Sequence, residues 1–107
     1  MKRALALAVL LALAAPGAAS AHATLRQTVP TFQQRLARAP AQALLRFDQR
    51  VTALPGSIRV YSAAGKLVSG PAHTAADTRR VVAPLPRLPR GAYTIRWNAI
   101  SSDGHVI

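Results

Sequence analysis

Three side chains, one at position 22 and two near the C-terminal end of the sequence, carry donor atoms suited to one metal: His22, Asp103 and His105. Asp103 and His105 fall in Ser101-Ser102-Asp103-Gly104-His105, two positions apart, so on an extended segment they project to one side. Gly104 between them lets the backbone turn tightly enough to aim both at one point. The same pentapeptide also reads as an Asx-turn closing a strand that ends near Ile100, with His105 simply exposed. His22 follows Ala19-Ser20-Ala21, which supplies small residues at both positions a signal peptidase reads. Cleavage after Ala21 puts His22 first, where its α-amine and imidazole chelate one metal together. An amine with a pKa of about 8 gives up its proton when a strong Lewis acid competes for the lone pair. A histidine left first by chance is the plainer reading of that position. An amine, two imidazoles and one carboxylate make an N,N,N,O set, the combination tetragonal copper(II) prefers. Zinc and nickel accept the same donors, so the ligands alone leave the metal open.

The rest of the composition narrows the chemistry. The 107 residues hold no cysteine, and the one methionine is the initiator. Disulfides, thiolate zinc sites, iron–sulfur clusters, cysteine nucleophiles and thioether sites for reduced copper are all excluded. Asp48, Asp77 and Asp103 are the only carboxylate side chains. That is too few for a paired-carboxylate hydrolase or an all-oxygen calcium cage. Lys2 and Arg3 precede an apolar run over residues 4–15, broken by Pro16-Gly17. This run is shorter than the roughly 20 residues a bilayer demands, so residues 1–21 read as a cleaved secretory signal peptide and the mature chain is not membrane-spanning. Residues 22–107 then form a single small domain, 86 residues with a formal charge of +9. Eleven arginines are scattered along it without aromatic stacking platforms, which argues against nucleic acid as a partner.

The elements that must position these donors read as short strands. Ala43, Leu45 and Phe47 alternate with polar or outward positions, as do Ile58 and Val60, and then Tyr93, Ile95, Trp97 and Ala99. Arg46, Arg59 and Arg96 lie between them and should face solvent. The window 78–82 is a weaker candidate. Turn residues separate these runs at Leu54-Pro55-Gly56, Ala64-Gly65-Lys66, Ser69-Gly70-Pro71 and Pro89-Arg90-Gly91. Residues 84–89, with three prolines, form a loop or a sheet edge. Residues 32–39 allow no more than one helical turn between Pro30 and Pro40. Phe47 and Trp97 are expected as core anchors. The pattern predicts an all-β antiparallel sandwich or Greek-key barrel.

These pieces together resemble the CopC family of periplasmic copper resistance proteins. The resemblance rests on the signal peptide ending directly before His22-Ala23, the strand Ala39-Pro40-Ala41-Gln42-Ala43-Leu44-Leu45-Arg46-Phe47, and Ile58-Arg59-Val60-Tyr61 with its Gly65 turn. It rests also on Gly91-Ala92-Tyr93-Thr94-Ile95-Arg96-Trp97 running into Ser101-Ser102-Asp103-Gly104-His105. It implies an Ig-like or cupredoxin-like Greek-key β-sandwich, a periplasmic location, and copper(II) held by His22, Asp103 and His105 without catalysis. It implies as well a role as copper carrier or buffer, with an inner-membrane copper transporter of the CopD type as partner. The chain departs from the family in three ways. It lacks the methionine-rich loop that binds copper(I) in some members. It carries Asp48-Gln49-Arg50-Val51 where Ser-Glu-Pro-Val is usual, so Gln49 replaces a glutamate. It also stops at Ile107, where the family continues into a closing strand, so the sandwich is expected to be incomplete at its C-terminus. His73 sits in a loop that holds extra copper ligands in some relatives, although it has no sulfur donor beside it. Two other functions fit parts of the sequence: the soluble head or truncated remnant of a copper-importing membrane protein, and an N-terminal-histidine copper mono-oxygenase.

Overall fold

A computed structural model describes residues 22–107; the expected signal peptide lies outside them. Eight strands are present: β1 (Leu25–Val29), β2 (Gln42–Phe47), β3 (Val51–Thr52), β4 (Ile58–Ser62), β5 (His73–Thr74), β6 (Arg80–Pro84), β7 (Tyr93–Trp97) and β8 (Ile100–Ser101). One layer is a four-stranded antiparallel sheet in the order β1-β2-β6-β5. The other is built from the antiparallel pairs β3–β8 and β4–β7. Among the described residues there is no helix, and none is long and apolar enough to cross a membrane.

The alternation read from the sequence is what forms the core. In β2, Ala43, Leu45 and Phe47 are buried while Arg46 faces out. In β4, Ile58 and Val60 are buried around an exposed Arg59. Burying one face of each sheet against the other removes these side chains from water, at about 1.5–3 kcal/mol for a Leu, Ile, Val or Phe. Val81, Ala83 and Ala99 are fully enclosed between the layers.

Two expectations are corrected. The strand expected over residues 78–82 runs instead over Arg80–Pro84. Thr78 has φ +61° and closes a turn by donating its N–H to the Ala75 carbonyl, so pairing starts only after it. Trp97 is not a core anchor: it is 36% exposed, with only an edge-on contact to Phe47 at 5.7 Å. Among the described residues its strand β7 pairs with β4 alone. Phe32, at 90% exposed, lies in the loop between β1 and β2. Residues beyond Gly104 turn back along β8: Ala99 and Ile107 exchange backbone hydrogen bonds at 2.8 and 3.2 Å, and Val106 bridges Ile100.

Candidate metal centre

The three residues singled out by type converge. His22 Nδ1 lies 2.8 Å from Asp103 Oδ2, and His105 Nδ1 lies 3.1 Å from the same oxygen. The two imidazoles stack with centroids 5.2 Å apart and planes inclined by 19°. One donor atom from each residue fits within a circle of contacts no wider than 4.8 Å. His73 sits on β5, at the opposite edge of the four-stranded sheet from β1, and takes no part in the cluster.

The turn after β8 sets Asp103 and His105. Gly104, at φ +84°, adopts the left-handed conformation that an L side chain would strain. Its N–H donates to the Ser101 carbonyl, and Ser101 N–H donates to the His105 carbonyl at 2.9 Å. Asp103 Oδ1 accepts the His105 backbone N–H at 3.2 Å, so the Asx-turn reading holds as well. The two carboxylate oxygens are divided between two tasks: Oδ1 closes the turn while Oδ2 faces the imidazoles. The buried Ser101 hydroxyl also donates to Oδ1, a contact that attention to the first serine of the motif would have flagged. That hydroxyl is the main reason the Asp103 carboxyl titrates well below the usual carboxylate range; hydrogen bonding from His105 and the charge on His22 add to it.

His22 is set from the other layer. It precedes β1, whose pairing with β2 begins at Leu25↔Phe47 and is interrupted before Gln27↔Arg46. Just beyond the ladder, Asp48 N–H donates to the Thr24 carbonyl at 3.1 Å and Asp48 Oδ1 accepts Thr24 N–H at 2.7 Å. The Thr24 N–H is the largest influence holding the Asp48 carboxyl below its ordinary value, with Arg26, 3.4 Å from Oδ2, adding to it. Ala23 is buried in the core, which anchors the short arm between Thr24 and His22. At the far end of the same loop, the Arg50 carbonyl accepts the Ser102 hydroxyl at 3.2 Å. Residues 48–50 therefore hold the His22 arm on one side and the Asp103 turn on the other. Sequence reasoning singled out this segment only for its Gln49 and missed Asp48.

Such a cluster of two imidazoles and a hydrogen-bonded carboxylate, open to solvent, is chemically suited to a divalent metal. Side-chain exposures of 57% for His22 and 68% for His105 leave room for an ion to enter without rearrangement of the core. Comparison with known proteins agrees in fold. The crystal structure of CopC from Methylosinus trichosporium OB3b superposes with a TM-score of 0.70 at 31% identity, covering 80% of this chain and 85% of that one. The copper transport protein CutJ of Bacillus subtilis (strain 168) is 30% identical over 95 residues. That match takes in 86% of this chain but only 18% of CutJ, so the chain spans about a fifth of that relative's length. The CopC domain family itself matches residues 25–107, from the first strand through the Asp-Gly-His turn, and the chain belongs to it.

Proposed function

We propose that this protein is a periplasmic copper(II) carrier or buffer, cut after Ala21 so that His22 begins the mature chain. The observation that carries the reading is the convergence of His22 and His105 on one oxygen of Asp103. Two donors each about 2.0 Å from an ion and at right angles to it stand about 2.8 Å apart, and two on opposite sides about 4 Å. The separations of 2.8 and 3.1 Å from Asp103 Oδ2 suit the first arrangement, and the overall limit of 4.8 Å accommodates the second. The α-amine of His22 supplies the fourth donor once the leader is removed. Four donors of nitrogen and carboxylate oxygen favour copper(II) over copper(I). They leave little open coordination for a substrate, so the site binds rather than catalyses.

Membership of the CopC family and the likeness to a copper transport protein support copper as the cargo. A matched segment that is only 18% of that relative supports a second possibility for the same site: the copper-binding head of a larger importer, or a separate donor to an inner-membrane transporter of the CopD type. The test begins with the exported, processed protein, whose intact mass should start at His22. Copper(II) titration against a competing chelator should then show affinity at least a hundredfold weaker after acetylation of the α-amine or in His22→Ala. Equal affinity in all three proteins would remove His22 from the site.

A further inference from the structure

We propose that Asp48 is a positioning residue for His22: its carboxylate grips the chain at Thr24 and so holds the amine–imidazole donor pair opposite Asp103 and His105. This inference rests on the reading of His22 as a metal ligand. The β1–β2 ladder ends at Leu25↔Phe47, two residues short of Ala23 and three short of His22. A terminal arm of that length, if held neither at Thr24 nor by the burial of Ala23, sweeps a radius of roughly 10 Å at 3.3–3.6 Å per residue, far more than a coordination sphere tolerates. Asp48 continues the ladder by one step. Its N–H donates to the Thr24 carbonyl, as a strand residue's would, and its Oδ1 accepts the Thr24 N–H at 2.7 Å where a backbone carbonyl would otherwise serve.

The irregularity around Arg26 fits this role. Extra residues in a strand re-aim a side chain, and here the Arg26 guanidinium is brought to 3.4 Å from Asp48 Oδ2. The carboxylate is thus held from one side by a backbone N–H and from the other by a cation. Two residues further along the same loop, the Arg50 carbonyl takes the Ser102 hydroxyl beside Asp103. One short segment therefore fixes the separation of the two halves of the cluster. Fixing them in advance spares the metal the ordering of a loose arm, which is how pre-organisation raises affinity.

The experiment compares exported wild-type protein with Asp48→Ala and Asp48→Asn; the asparagine keeps an Oδ1 acceptor for Thr24 but loses the charge. In metal-free protein, hydrogen exchange at the Thr24 amide should become at least tenfold faster in Asp48→Ala and recover in Asp48→Asn, with the Val81 amide unchanged as a core control. Copper(II) affinity should fall about tenfold in Asp48→Ala and return to within about threefold in Asp48→Asn. The paramagnetic resonance spectrum of the copper-loaded proteins should keep the same nitrogen hyperfine pattern throughout, since Asp48 is not itself a ligand. Unchanged Thr24 exchange, unchanged affinity, or an altered donor pattern in Asp48→Ala overturns the proposal while leaving His22 in place. If His22→Ala binds copper as wild type does, the reading of the site fails instead, whatever Asp48 does to Thr24.

Discussion

A metal bridging His22 to Asp103 and His105 joins positions 81 residues apart in sequence, in a domain that has no disulfide to do so. Such a bridge must stabilise the folded state, because the unfolded chain does not hold the three donors together. At free copper(II) a hundredfold above the dissociation constant, the gain is about 2.7 kcal/mol. With an unfolding entropy of about 2.1 cal/mol/K per residue, the 86 residues 22–107 carry about 0.18 kcal/mol/K. The melting temperature should therefore rise by about 15 °C. In His22→Ala the chelating arm is lost, and a site weakened a hundredfold leaves about 0.4 kcal/mol, or about 2 °C, at the same copper concentration. Circular dichroism melts of both proteins, with and without copper(II), make the measurement. Two results refute the reasoning: a wild-type melting temperature that copper leaves unmoved, or a shift of the same size in His22→Ala.

Ser101→Ala removes the hydroxyl that donates to Asp103 while deleting only one buried oxygen; copper(II) affinity should drop about tenfold, read by chelator competition, with a fold unchanged by circular dichroism. The carboxyls of Asp48, Asp77 and Asp103 all titrate below their ordinary value of 3.8 in the folded protein. Their contribution to stability is accordingly complete above that value and is lost as the pH falls through the folded-state values. Urea midpoints of metal-free protein should be flat from pH 7 to about 5 and decline steeply below about 4. A midpoint that rises on acidification contradicts the sign.

How much of this could be read from the sequence depends on which faces are buried. β2 and β4 each put one face in the core and the other in water, so their alternation was legible residue by residue. β6 was misplaced because Val81, Val82 and Ala83 are all buried, giving a run without alternation, and because the turn at Asp77 was not recognised. Asp77 Oδ1 accepts the N–H groups of Arg79 and Arg80, and this delays the start of the strand. β1 carries exposed Arg26 and Gln27 side by side and owes its conformation to pairing with β2 rather than to its own pattern. The two-residue strands β3, β5 and β8 are shorter than any periodic signal.

The site shows a different division. Donor chemistry belongs to residue type, so His22, Asp103 and His105 could be chosen from the sequence. Their meeting point belongs to topology. His22 leads into an edge strand of the four-stranded sheet, while Asp103 follows a strand of the opposite layer. What joins the layers at this corner is the passage from β2 to β3, where the chain leaves one sheet at Phe47 and enters the other at Val51. A crossing segment touches both sheets by necessity, and its polar groups are where contacts to both neighbours can be made. Asp48 reaches Thr24 from the first sheet's side, and the Arg50 carbonyl takes Ser102 from the second's. In a sandwich whose candidate metal donors come from different layers, the strand-to-strand crossing beside them is therefore where their separation is set.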